Sequence, residues 1–67
     1  MSDDGVAGLT GREIRVLELV AAGRTNQAIA HALGVSPRTV AKHLEHAYRK
    51  LDVPNRAAAV AVMGRHT

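Results

Sequence analysis

The chain has no cysteine, no phenylalanine and no tryptophan, and its one aromatic residue is Tyr48. Without cysteine there can be no disulfide and no thiolate metal ligand, and a reducing compartment is allowed. With aromatics absent, the 46% of hydrophobic residues is almost all Ala, Val, Leu and Ile, the usual filling of a small helical bundle rather than of a sheet. No apolar run approaches membrane-spanning length, and the first residues lack the basic-then-apolar pattern of an export signal. The expectation is a cytoplasmic protein without a membrane partner. Acidic residues are missing from one region in particular. Asp3, Asp4, Glu13 and Glu18 lie in the first third, whereas from Arg24 to Lys50 the only acid is Glu45. The net charge of +3 is modest, but it is concentrated in the middle of the chain, which suits a polyanionic partner.

At 67 residues the chain is expected to be one domain, of a size that hides only ~60% of the surface its unfolded form exposes. Residues 1–8 carry two glycines and two acids with little to bury, and read as a disordered tail. Thr10-Gly11-Arg12-Glu13 matches a capping box that starts a first helix, with Leu9 and Ile14 placed as a hydrophobic staple across it. Ile14, Leu17, Val20 and Ala21 supply its stripe, and Gly23 stops it, so the helix spans roughly Gly11 to Ala22. Thr25 can cap a second helix from Asn26 to Leu33, burying Ile29, Ala30 and Leu33 and ending at Gly34. After Asp52, Val53 and Pro54, Asn55 can cap a fourth helix from Arg56 to about Met63, ended by Gly64, which leaves 65–67 as a short tail.

The third helix is the centre of the chain. Ser36 is a favoured N-cap and Pro37 fits the first helical position, where no N–H is needed. Val40, Leu44, Ala47 and Leu51 recur at helical spacing and form one apolar face. Arg38, Lys42 and Arg49 gather opposite, with His46 beside them and only Glu45 against them. On charge alone, such a ridge is as often a solvated face as a DNA contact. What precedes it shifts the balance: only Gly34 and Val35 separate the second helix from the Ser36 cap. So short a turn makes the two helices cross steeply, and a glycine accepts the left-handed conformation the crossing needs. Helix, tight turn and basic helix make the layout of a helix-turn-helix, whose second helix enters the major groove with its N-terminal half at the base edges. Arg38, Thr39, Ala41, Lys42 and Glu45 are nearest the bases in that arrangement, and the helix starts at Thr25-Asn26 and Ser36 are natural phosphate clamps.

Competing chemistry is weaker. His43 and His46 stand three apart, a spacing that can hold a metal, but no carboxylate or cysteine cluster joins them. Ser36 with a histidine does not make a nucleophile pair, because its hydroxyl is occupied at a cap and no orienting carboxylate follows. The expectation is therefore no enzyme, no metal, no cofactor and no small-molecule ligand on this domain. Arg12, Arg15 and Arg24 can contact phosphate or simply be solvated, and Tyr48 packs along its helix. Residues 57–63 are apolar on nearly every side, so this surface either binds a second copy or merely reflects the helix preference of alanine.

Together these residues resemble the LuxR-type (GerE-type) DNA-binding domain of bacterial transcription regulators. The likeness runs from Leu9 to about Ala61. It includes Leu9-Thr10-x-Arg12-Glu13 with Val16-Leu17, then Gly23-x-Thr25-Asn26-x-x-Ile29-Ala30-x-x-Leu33. Ser36-x-x-Thr39-Val40-x-x-His43, Lys50-Leu51-x-Val53 and Arg56-x-x-Ala59 complete it. The resemblance implies an all-α, four-helix domain over 9–64 with helices two and three as the helix-turn-helix. It also implies a fourth helix that makes the dimer contact, and binding as a homodimer to an inverted repeat near promoters. Two positions depart from the family pattern. Ala41 stands where a lysine often follows Thr-Val, with Lys42 one place later, and Ala28 stands where a glutamate often precedes Ile-Ala.

The reading is a sequence-specific, double-stranded DNA-binding module of a transcription regulator, such as a response regulator's output domain. Arg38, Thr39 and Lys42 are expected at bases, and Thr25, Asn26, Ser36, His43, His46, Arg49 and Lys50 at the DNA backbone. Ala58, Ala59, Val62 and Met63 are expected at a dimer contact. Two alternatives stand beside it: a sigma-factor-like promoter-reading domain partnered with RNA polymerase, and an interaction module that pairs with full-length regulators and blocks them.

Overall fold

The structure, a computed structural model, describes residues 8–65. The expected tail over 1–7 and the last two residues of the expected C-terminal tail lie outside them. Among the described residues there are four helices and no strand: α1 Gly11–Ala21, α2 Asn26–Leu33, α3 Pro37–Leu51 and α4 Arg56–Arg65. Each start is fixed by a side chain that accepts an otherwise orphaned backbone N–H. Thr10 and Glu13 form the reciprocal capping box, with Thr10 N–H donating to Glu13 Oε1 at 2.9 Å and Glu13 N–H to Thr10 Oγ1 at 3.1 Å. Thr25 Oγ1 accepts from Ala28 N–H at 3.1 Å, Ser36 Oγ from Thr39 N–H at 3.1 Å, and Asn55 Oδ1 from Ala58 N–H at 2.9 Å.

The ends are equally local. After α2, Gly34 adopts φ 71°, and Val35 N–H reaches back to the Ala30 carbonyl at 3.0 Å. After α3, Asp52 takes the same left-handed conformation at φ 59°, and Val53 N–H bonds the Tyr48 carbonyl at 2.9 Å. Both are Schellman ends, in which the residue after the left-handed position turns its side chain onto the helix it has just left. Val35 and Val53 do so and pack against the core.

That core is one cluster of Leu9, Val16, Leu17, Val20, Ile29, Ala30, Val40, Leu44, Ala47, Ala59 and Met63. Helices α1 and α3 each pack against the other three or lie between them, so the bundle is built on their crossing. Ile14, Leu33 and Leu51 line its edge, half-buried.

Two details differ from the sequence reading, and a third adds to it. On α1 the buried positions are Glu13, Val16, Leu17 and Val20, while Ala21 is exposed. The stripe is turned because α1 meets α2, α3 and α4 at once, which requires a wider buried arc than one amphipathic face. Gly64 does not end α4, which continues through Arg65; a helical glycine costs ~1 kcal/mol relative to alanine but does not forbid the helix. Glu13, besides closing the capping box, is buried at 4% exposure.

Candidate nucleic-acid interface

The turn between α2 and α3 decides where the third helix points. Gly34 bends the chain at once out of α2, Val35 anchors the bend in the core, and Ser36 caps α3 before any loop can form. Helix α3 is thereby mounted on the bundle by Val40, Leu44 and Ala47, all buried. The face turned away from them carries Arg38, Lys42, Glu45, His46 and Arg49, all exposed. Arg38, Thr39, Lys42, His43 and His46 line one cleft of about 250 Å³ along this helix, so five of the expected contact residues are brought together. Thr39 and His43 are half-buried at its edge. The Thr39 hydroxyl also lies 3.0 Å from Ser36 Oγ, so one of the two hydroxyls donates to the other.

The starts of α2 and α3 each carry a hydroxyl group that is already positioned. Thr25 Oγ1 and Ser36 Oγ accept a backbone N–H, and a hydroxyl that accepts still carries a proton to donate. Asn26 is half-buried, and its Oδ1 accepts from the Arg56 guanidinium at 3.0 Å. Arg56 also donates to the Arg24 carbonyl, so the first residue of α4 holds the α1–α2 turn and the start of α2 together. Sequence reading gave Arg56 no role: its partners lie some thirty residues away, and nothing local marks them. A second cleft on the opposite flank of α3 is lined by Asn26, Ala41, Leu44, Glu45, Tyr48 and Arg56.

Lys50, expected at the DNA backbone, is engaged elsewhere. Its Nζ lies 2.8 Å from Glu13 Oε1, joining the end of α3 to the start of α1. Burial alone pushes the Glu13 carboxyl up, but the hydrogen bonds from Lys50 and Thr10 and the Lys50 charge outweigh it, leaving the pKa below the ordinary value. Arg49 stays exposed, 3.9 Å from Glu45 one turn earlier. Of the residues expected at a dimer contact, Ala59 is fully buried and Met63 is 8% exposed, so both serve the chain's own core. Ala58 and Val62 are half-exposed, and Ala57 and Ala61 are exposed beside them. These four form an apolar strip on the outside of α4.

Among the described residues no three His, Cys, Asp or Glu side chains cluster as a metal site, and no helix is long and apolar enough to cross a membrane.

Comparison with known proteins agrees with this geometry. The family described as bacterial regulatory proteins, luxR family, matches residues 7–63. The chain is 45% identical over 62 residues to the probable transcriptional regulatory protein SgaR of Hyphomicrobium methylovorum, covering 92% of this chain and 29% of that protein. It is 42% identical over 55 residues to the putative HTH-type transcriptional regulator YhjB of Escherichia coli K12, covering 82% and 28% respectively. It is also 49% identical over 53 residues to the probable transcriptional regulatory protein NarL of Mycobacterium tuberculosis, covering 79% and 24%. The chain thus spans less than a third of the length of these relatives. The family is one of DNA-binding regulators and not a class of enzymes. The chain belongs to the luxR family of bacterial regulatory proteins, as its helix-turn-helix DNA-binding domain.

Proposed function

We propose that this domain binds double-stranded DNA sequence-specifically in the cytoplasm, as a homodimer on an inverted repeat near a promoter, and so serves as the output of a transcription regulator. One observation carries the reading. Arg38, Lys42 and Arg49 stand exposed on the side of α3 opposite Val40, Leu44 and Ala47, directly after the tight turn in which Gly34 takes the left-handed conformation and Ser36 caps α3. In this reading Arg38, Thr39 and Lys42 meet bases. Thr25, Asn26, Ser36, His43, His46 and Arg49 meet the backbone, with the two hydroxyls donating to phosphate. Lys50 is left out of the contact set, since its ammonium is paired with a buried carboxylate. Helix α4 is proposed as the dimer contact through Ala58, Val62 and their exposed neighbours Ala57 and Ala61, and its small side chains allow close approach of a second helix.

The test is selection of duplexes from a random pool, followed by mobility shift on the winning sequence and on its half-site. Enrichment of an inverted repeat that binds two chains cooperatively is the expected result. An enriched single half-site bound by one chain would overturn the homodimer. No enrichment at low salt, together with mixed dimers formed with a full-length relative, would replace DNA binding by the interaction-module reading.

A further inference from the structure

Glu45 is the one acid on the outward face of α3, and its place there is not explained by the fold. Its side chain is 65% exposed and adds nothing to the buried cluster. Its ion pair with Arg49 spans 3.9 Å between two exposed groups, and such exposed pairs contribute little to stability. On a surface that meets a polyanion, a carboxylate repels every sequence alike, so it lowers affinity for DNA in general. The repulsion is offset only where the carboxylate accepts a hydrogen bond from a base, and among major-groove edges cytosine N4 offers that donor to an acidic side chain.

The position is right for a base. Glu45 lies one turn beyond Ala41, and both line the cleft whose other wall is formed by Asn26 and Arg56. In the DNA-binding reading Asn26 meets the backbone, and Ala41 and Glu45 share its cleft on the helix that enters the groove. Ala41, exposed and bearing only a methyl group, leaves room for Glu45 to reach the bases and offers an apolar contact to a thymine methyl. We propose that Glu45 is a specificity-determining residue, accepting a hydrogen bond from a cytosine N4 amino group in the major groove and penalising other bases at that position. This rests on the DNA-binding reading above and names one base it discriminates.

The experiment selects duplexes from a random pool with the wild-type chain, Glu45→Gln and Glu45→Ala, then measures binding of the wild-type winner, its single-base changes and random sequence at several salt concentrations. Circular dichroism confirms that each variant folds. The wild type is expected to fix cytosine at one position of each half-site, with on the order of tenfold loss when that base is changed. Glu45→Gln is expected to switch that position to adenine, because an amide pairs with adenine N6 and N7. Glu45→Ala is expected to accept any base there. Both variants should bind random DNA several-fold more tightly. The same three-way preference in all three proteins would overturn the proposal while leaving sequence-specific binding intact. A wild-type chain that binds no duplex would instead remove the DNA-binding reading on which the proposal rests.

Discussion

Replacing Lys50 by methionine separates its structural from its DNA-binding role. Methionine keeps the apolar stem and the helix preference of lysine while deleting the ammonium. The change leaves Glu13, 4% exposed, without the donor that now sits 2.8 Å from its Oε1. A hydrogen bond to a charged group is worth about 1.5–3 kcal/mol, and the Thr10 N–H that Glu13 retains keeps the loss near the middle of that range, at about 2 kcal/mol. For a domain of this size that loss lowers Tm by about 8–16 °C. At a urea m-value of about 1 kcal/mol/M it moves the midpoint by about 2 M. The assay is urea denaturation followed by circular dichroism, run on Lys50→Met, Glu13→Gln and the double variant. Glutamine preserves the capping bond to Thr10 while removing the charge, so the cycle isolates the ion pair. The pH dependence has a definite sign. Because the folded pKa of Glu13 lies below its ordinary value of 4.5, the pair stabilises the fold above that value. The contribution is lost as pH falls through the lower folded value, so wild type and Lys50→Met converge in acid. An unchanged midpoint for Lys50→Met at neutral pH would refute the structural role and return Lys50 to the DNA-contact set.

Gly34→Ala should destabilise the domain by about 1–2 kcal/mol, because alanine must adopt φ 71° at the turn that aims α3; thermal denaturation reads the loss, and a Tm equal to wild type would count against it. Asp52→Gly should act in the opposite direction by up to about 1 kcal/mol, since glycine takes the left-handed conformation at the end of α3 without penalty. A lower Tm for that variant would show that the aspartate side chain supplies more than its backbone costs. Leu17→Ala should remove about 2–5 kcal/mol from a fully buried position and leave so small a domain largely unfolded at 37 °C, with loss of the helical circular dichroism signal as the readout.

What could be read from the sequence was local, and what could not was long-range. The caps at Thr10, Thr25, Ser36 and Asn55 involve atoms three residues apart, and all four form as their spacing predicts. The same holds for the left-handed end at Gly34 and for the buried Val40, Leu44 and Ala47. The burial of Glu13 was hidden because its partner is 37 residues away and approaches only once α1 and α3 have crossed. The role of Arg56 depends in the same way on the α1–α2 turn arriving beside the start of α4. Helix α4 was ambiguous for another reason. Its residues are apolar on every side, so periodicity could not say that Ala59 and Met63 face inward while Ala57 and Ala61 face out. Within the candidate interface, the side of α3 that faces outward followed from helical spacing, whereas the pairing of Lys50 did not.

The most direct test of the central claim is a fluorescence-anisotropy titration of the domain against its selected duplex and random DNA over a range of salt concentrations, with Lys42→Ala alongside. The exposed basic face of α3 predicts affinity that falls steeply with salt and a selected duplex bound far more tightly than random sequence. It also predicts a loss of ~1–3 kcal/mol in Lys42→Ala confined to the selected duplex. Equal, salt-insensitive binding of both duplexes, or no binding of either at low salt, would contradict it.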